Sequence, residues 1–270
     1  MPPTLCGVLG HPVGHSRSPA MHNAAYAELG LDWRYVKLPI PPDLFEETVR
    51  GLPASGYRGA NVTIPHKVAA LALADSASPA AAAVGAANTL SFADGAIAAE
   101  NTDAGGLLDA IGRPVAGLTA LVLGAGGAGR AAAWALSDAG AAEVAVWNRT
   151  EDRAAALAGE LGVAHAARPR QADLLVNATS VGLDPATSEA DALAQLDLTG
   201  VDPPPLVVDL VYRAGSATPV QAWAERAGAT VVDGLEVLVR QGARSFELWT
   251  GQPAPVEAMR AAARKTSGNT

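Results

Sequence analysis

Lys67 is the side chain of this 270-residue sequence best suited to exchange a proton. The chain holds three lysines, Lys37, Lys67 and Lys265, against sixteen arginines. A sequence that so prefers Arg for solvated charge keeps Lys where a proton has to move, because Arg stays protonated at any working pH and Lys can be tuned. Lys67 closes Asn61-Val62-Thr63-Ile64-Pro65-His66-Lys67, one of four short polar islands in an alanine-rich first half. The others are Gly14-His15-Ser16-Arg17-Ser18-Pro19, Ala87-Asn88-Thr89 and Asn101-Thr102-Asp103. Hydroxyls, amides and a carboxylate in such clusters suit a small polar ligand.

Gly124-Ala125-Gly126-Gly127-Ala128-Gly129 brings a second chemistry. It lies between an apolar run at 120–123 and a helical stretch to about residue 139, the strand–loop–helix context that a dinucleotide-binding glycine loop requires. Glycine there permits a tight turn and lets the backbone approach a pyrophosphate at the helix N-terminus. An NAD site usually carries Asp or Glu about 20 residues on, to hold the ribose 2′-hydroxyl. This chain instead has Asn148-Arg149-Thr150, beginning 19 residues beyond Gly129. An arginine and a hydroxyl with no carboxylate at that point fit a 2′-phosphate, so the expected cofactor is NADP.

These residues need elements to hold them. Alternating apolar runs and helical stretches predict two α/β units with mainly parallel sheets. In the first, strands are expected at 5–9, 33–38 and 59–63, and helices at 18–29, 43–52 and 66–74. Ser18-Pro19 reads as an N-cap followed by proline at the first helical position. Asp94-Gly95 reads as a two-residue hairpin turn. In the second unit, a helix at 104–111 leads to strands at 120–123, 143–147, 174–177, 206–210 and 230–232. Helices at 236–248 and 256–264 follow, and the last six residues are expected to fray. The polar islands fall where strands end and helices begin, which is where open α/β sheets bind ligands.

Composition sets the outer limits. A formal net charge of −8 argues against nucleic-acid or anionic-membrane partners. Cys6 is the single cysteine, which excludes an intrachain disulfide and fits a reducing compartment. No signal peptide and no sustained apolar span is legible, so a cytoplasmic protein is expected. His11, His15, His22 and His66 cluster near the polar islands, but no carboxylate or cysteine completes a familiar ligand spacing, and no metal is expected.

Taken together, the motifs resemble the shikimate dehydrogenase family. They include Gly10-His11-Pro12, Ser16-Arg17-Ser18-Pro19, His22-Asn23, Asn61 to Lys67, Gly85-Ala86-Ala87-Asn88-Thr89 and Asn101-Thr102-Asp103. The glycine loop with Asn148-Arg149-Thr150, then Asn177 to Gly182, Asp209 to Tyr212, Thr218-Pro219 and Gln241 to Gly251 complete the match in order. The resemblance implies NADPH-dependent reduction of 3-dehydroshikimate to shikimate in aromatic amino-acid (chorismate) biosynthesis. It implies a substrate domain over residues 1–103 plus 236–270 and a Rossmann NADP domain over 104–235, with C-terminal helices returning to the first.

By the same resemblance, Lys67 and Asp103 are the catalytic pair, with Lys67 acting as general acid/base or electrostatic stabiliser oriented by Asp103. Ser16 and Ser18 hold the substrate carboxylate, Thr63, Asn88 and Gln241 hold ring hydroxyls, and Tyr212 reaches the substrate from the cofactor domain. Gly124, Gly126, Gly127, Ala128, Gly129, Asn148, Arg149, Thr150, Thr179 and Gly234 line the cofactor. The partners are small molecules, and the chain is expected as a monomer or homodimer.

Two positions depart from the family pattern. Ala104 stands where glycine usually follows the aspartate, and residues 213–217 differ from the usual Asn-Pro-rich loop. Quinate and aminoshikimate dehydrogenases are the alternatives within the family. Outside it, the cofactor motif also resembles that of glutamyl-tRNA reductase, though Cys6 sits in an apolar run rather than at a nucleophile's position. A non-catalytic NADP- or shikimate-sensing regulator on the same fold is the alternative of a different class.

Overall fold

The computed structural model describes residues 2–213 and 215–265. Five of the six C-terminal residues expected to fray, and Ala214 of the 213–217 loop, lie outside the described residues. The chain divides into two compact α/β units, Met1–Gly106 with Leu238–Lys265, and Leu107–Val237.

The first unit runs β1 (Thr4–Gly10), α1 (Ser18–Glu28), β2 (Trp33–Pro39), α2 (Phe45–Gly51), β3 (Tyr57–Val62), α3 (Lys67–Leu73), β4 (Ser76–Ala77), α4 (Pro79–Val84), β5 (Thr89–Ala93) and β6 (Ala96–Glu100). Helix α5 (Thr102–Ile111) follows and carries the chain out of this unit. The sheet order is β2-β1-β3-β5-β6-β4. Three of its five strand pairs are parallel, and β3–β5 and β5–β6 pair antiparallel. The short Asp94-Gly95 turn, with positive φ angles of 51° and 80°, returns the chain directly beside β5 and makes the β5–β6 pair antiparallel. Its core gathers Leu9, Phe45, Val62, Leu90 and Phe92.

The second unit is a parallel sheet of order β12-β11-β10-β7-β8-β9. Its strands are β7 (Thr119–Leu123), β8 (Glu143–Trp147), β9 (Ala164–His165), β10 (Leu174–Asn177), β11 (Leu206–Asp209) and β12 (Thr230–Asp233). Helices α6 (Gly127–Asp138), α7 (Glu151–Leu161), α8 (Glu189–Gln195) and α9 (Pro219–Arg226) link them. Alternate residues of β7 feed two separate cores, Ala120 and Val122 one, Leu121 and Leu123 the other. A sheet with both faces covered reads as an unbroken apolar run for this reason. Helix α10 (Gly234–Thr250) begins here and ends in the first unit, where α11 (Val256–Arg264) follows.

Some expectations need correction. Ser18 does not cap α1; the helix begins at Ser18 itself, and Arg17 occupies the N-cap with no side-chain bond. Ser16 Oγ accepts the Ser18 N–H at 3.3 Å instead. A turn closed by Ser16 N–H to the Val13 carbonyl at 3.1 Å puts Ser16 there. The expected 43–52 helix is a 3-10 turn over Pro42–Leu44 followed by α2. The sequence reading also passed over α4, α8 and α9. No helix among the described residues is long and apolar enough to cross a membrane.

Candidate active site

In the first unit, the ends of three elements bring Lys67 and Asp103 together. Lys67 opens α3, whose N-cap residue His66 is buried and fixed by a 2.8 Å contact from Nε2 to the Ile40 carbonyl. Asp103 lies in the first turn of α5, which Asn101 caps by accepting the Ala104 N–H at 3.1 Å. The Lys67 ammonium donates to Asp103 Oδ2 at 2.6 Å, with each side chain about one-fifth exposed or less. Asn88, at the start of β5, donates to Asp103 Oδ1 at 2.8 Å. Both carboxylate oxygens are therefore held by named donors, and the ammonium keeps its other hydrogens for a ligand.

Gln241 of α10 joins this group, its Oε1 accepting from Asn88 at 3.2 Å and its Nε2 donating to the Leu238 carbonyl at 2.8 Å. Asn88 and Gln241 are both buried. Thr63 is half-buried at the end of β3, and its main chain bonds Leu9 and His66. Ser16 is half-buried and Ser18 buried on the turn into α1. The exposed Lys37 donates to the carbonyl of Gly14 in that same turn.

The histidines divide by environment. His66 stacks on Phe45 with ring centroids 4.3 Å apart, and His22 is fully buried against Tyr35 at 4.3 Å. His11 and His15 are exposed. Among the described residues, no three His, Cys, Asp or Glu side chains gather as a metal site.

In the second unit, the glycine loop leaves β7 where β8 lies on one side and β10 on the other, the point at which strand order reverses. Gly124 has a φ of 110°, and a Cβ on Gly129 would lie 1.9 Å from the Gly124 carbonyl oxygen. Only glycine permits that loop. Helix α6 starts at Gly127 with no side chain capping its N–H groups, a terminus suited to an anion. Asn148 Oδ1 accepts the Ala125 N–H at 3.3 Å, and its Nδ2 donates to the Thr150 carbonyl at 2.9 Å, tying the loop to the end of β8. Arg149 and Thr150 are exposed beside it, and Gly127 and Ala128 are half-buried.

Thr179 sits on a tightly built turn, and Gly234 opens α10 close against the chain after β11. The Thr179 hydroxyl donates to Asn177 Oδ1 at 2.7 Å and accepts the Val181 N–H at 3.1 Å. A Cβ on Gly234 would come within 2.5 Å of the Leu210 carbonyl oxygen. Tyr212 is half-buried on the loop after β11.

The sequence reading missed what steadies these loops. Asp209, fully buried, accepts from Asn177 Nδ2 at 2.8 Å, from the Val211 N–H at 3.1 Å and from the Thr218 hydroxyl. Burial pushes its carboxyl up to about 6 against those bonds. Arg213 donates from Nε to the Gly182 carbonyl at 2.5 Å and from Nη2 to the carbonyl of Asp184, so the unusual 213–217 loop is pinned to the turn after Asn177. Thr218-Pro219 carried a legible signal, since Thr218 and Gln221 form a full capping box.

Comparison with known proteins adds the following. The family model described as shikimate dehydrogenase substrate binding domain matches residues 8–90. Shikimate / quinate 5-dehydrogenase matches 107–196, and the shikimate 5'-dehydrogenase C-terminal domain matches 234–264. The chain is similar to a protein named shikimate dehydrogenase (NADP(+)) from Methanothermobacter thermautotrophicus, 41% identical over 97% of this chain and 96% of the relative. It is similar to one of the same name from Methanopyrus kandleri, 46% identical over 96% of this chain and 94% of the relative. Among solved structures, the shikimate 5-dehydrogenase of Thermus thermophilus in complex with NADP(H) and shikimate superposes with a TM-score of 0.84. It is 43% identical, and the match covers 97% of this chain and 98% of that one.

Proposed function

The chain belongs to the shikimate dehydrogenase family, and from that premise we propose that it reversibly reduces 3-dehydroshikimate to shikimate with NADPH. The observation that carries the reading is the Lys67–Asp103 pair at 2.6 Å with Asn88 on the far carboxylate oxygen. Reduction of a ketone leaves negative charge on its oxygen. An ammonium at that atom stabilises the charge and delivers the proton; in the reverse direction the neutral amine takes it back. Asp103 holds Lys67 in place and, through its remaining lone pairs, accepts from a ring hydroxyl.

Ser16 and Ser18 hold the substrate carboxylate, and Thr63, Asn88 and Gln241 orient the ring hydroxyls. Asn88 and Gln241 act from buried positions, which fixes the direction of their amides before substrate arrives. The first unit with the C-terminal helices supplies these groups, and Tyr212 is a further substrate residue by resemblance to the family.

NADPH fits the second unit's own chemistry. When bound it supplies the hydride. Gly124, Gly126, Gly127, Ala128 and Gly129 admit the pyrophosphate at the start of α6, and Asn148 holds the loop that receives it. Arg149 and Thr150 hold the 2′-phosphate, supported by the lack of any carboxylate across 148–150 at the end of β8. Thr179 and Gly234 shape the nicotinamide end. We read the enzyme as a cytoplasmic monomer or homodimer acting on small molecules, and its net charge of −8 argues against nucleic-acid partners.

NADP⁺ reduction at 340 nm tests this, run with shikimate, with quinate and with NAD⁺ in place of NADP⁺, and repeated on Lys67→Ala. Turnover confined to shikimate and NADP⁺ and lost in the variant upholds the reading. A preference for quinate moves the chain to the sister activity. Ligand binding without turnover in any pairing replaces catalysis with sensing.

A further inference from the structure

Behind Asp103 the first unit buries a run of polar side chains of which only Asn88 has an assigned role. Tyr35, from the second strand, donates its phenol proton to Asn61 Oδ1 at 2.7 Å. Asn61 Nδ2 donates to the Thr89 hydroxyl at 2.9 Å, and its second hydrogen reaches Ser245 Oγ at 2.8 Å. Thr89 donates to Asn88 Oδ1 at 3.2 Å, and Asn88 Nδ2 donates to Asp103 Oδ1 at 2.8 Å. Tyr35, Asn61, Thr89 and Asn88 are each no more than 5% exposed.

Main-chain groups set the direction of this chain. The Thr102 N–H can only donate, so the Asn88 atom 2.7 Å from it is the carbonyl oxygen, and the Asn88 amide nitrogen must face Asp103. The Asn88 main-chain carbonyl can only accept, so the Asn61 atom 3.3 Å from it is the amide nitrogen. The oxygen of Asn61 then faces Tyr35, and the phenol is the donor. The Thr89 hydroxyl lies 3.0 Å from Ser245 Oγ, 3.1 Å from Thr102 Oγ1 and 3.2 Å from Asn88 Oδ1, and toward Asn88 it can only donate. With its proton there, the bonds from Tyr35 to Asp103 all point the same way, and aligned bonds polarise one another in a low-dielectric interior.

We propose that Tyr35 is a positioning residue: it heads a one-way hydrogen-bond chain through Asn61, Thr89 and Asn88 that tunes how Asp103 is offered to Lys67. The inference rests on the catalytic assignment of Lys67 and Asp103. Without the phenol, Asn61 Oδ1 is left a buried acceptor without its donor, and the polarisation passed along the chain toward Asp103 is weakened although the main chain still sets both amides. His22 stacks on the Tyr35 ring at an interplanar angle of 2°, so Tyr35→Phe keeps the packing and removes only the hydroxyl.

The test is a double-mutant cycle in shikimate oxidation with Tyr35→Phe, Asp103→Asn and both together. Tyr35→Phe is expected to lower kcat about tenfold with the KM for NADP⁺ unchanged. In the Asp103→Asn background, it is expected to change kcat less than twofold. A wild-type kcat in Tyr35→Phe, or a tenfold loss repeated in the Asp103→Asn background, overturns the proposal. Should Tyr35→Phe fail to fold, Thr89→Val breaks the chain at its middle and enters the same cycle. Wild-type protein inactive on shikimate would sink the functional reading instead. The positioning claim is then read by mass spectrometry from the acetylation rate of Lys67, expected to rise severalfold in Tyr35→Phe; equal rates overturn it.

Discussion

Gly106 of α5 lies so close to Gln241 of α10 that a Cβ there would sit 2.6 Å from the Gln241 N and Cα. The neighbouring Gly105 meets the Arg244 guanidinium in the same way, at 2.4 Å. Here the glycine pair after Ala104 lets the two helices touch, while Ala104 itself is buried without a clash, so the departure from the family pattern leaves the contact intact. Gly106→Ala pushes against backbone, which cannot yield as a flexible side chain can. The variant is expected to lose about 1–3 kcal/mol of stability. Because Gln241 is displaced, its KM for shikimate is expected to rise more than its KM for NADP⁺. Thermal melts and steady-state kinetics check both, and an unchanged shikimate KM would show that Gln241 does not read the ring.

Lys67→Ala removes the group that carries the proton while leaving Ser16, Ser18 and Gln241 in place. Loss of a positioned acid/base costs about 10²–10⁴ in rate. We expect kcat for shikimate oxidation to fall within that range, with the shikimate dissociation constant by calorimetry changed less than tenfold. A variant that loses binding as completely as turnover would make Lys67 an anchor and not an acid/base.

Arg149 is exposed at the end of β8 between Asn148 and Thr150, and Asn148 secures that loop from behind. A hydrogen bond to a charged group contributes about 1.5–3 kcal/mol. Arg149→Ala is therefore expected to lower kcat/KM for NADP⁺ about 10- to 100-fold. Its kcat/KM for NAD⁺, which has no 2′-phosphate, should move less than twofold. Equal losses with both cofactors would assign Arg149 to the fold of the loop and not to phosphate recognition.

Local chemistry was legible in the sequence, and long-range joining was not. The strand–glycine–helix loop and the Asp94-Gly95 turn could be read because each is a contiguous run whose backbone geometry demands those residues. Ser18 does not cap because the helix begins at Ser18 itself with Arg17 at the N-cap, and the turn at Val13–Ser16 brings Ser16 Oγ to the Ser18 N–H. The helices α8 and α9 were passed over although Ser188 and Thr218 accept the N–H of the third residue beyond them. Those caps are short signals amid alanine-rich sequence with little contrast between faces. Nothing in the order of residues reveals that Asn61 donates to Ser245, 184 positions away, or that Asp209 is satisfied by Asn177 and Thr218. Such contacts exist only once the sheets have formed.

The two units are expected to answer acid in opposite ways. His22 is fully buried with neither ring nitrogen partnered, and burial holds its midpoint down at about 3 against an ordinary 6.5. Below pH 6.5 the unfolded chain binds a proton that the folded imidazole refuses. His22 therefore gives stability above pH 6.5 that is lost as pH falls toward 3, up to about 5 kcal/mol. Asp209 has the reverse sign. Its midpoint is raised from 3.8 to about 6, so the folded chain takes the proton first, and stability falls as pH rises through that window by about 3 kcal/mol. Urea unfolding followed by hydrogen-exchange mass spectrometry at pH 4.5 and 7.5 reads the units separately. His22→Phe should make the first unit's stability nearly equal at the two pH values, where the wild type is weaker at 4.5. Asp209→Asn should remove the second unit's gain at pH 4.5. A first unit equally stable at both pH values in the wild type would mean that the buried imidazole carries its proton, with a partner supplied to it in solution.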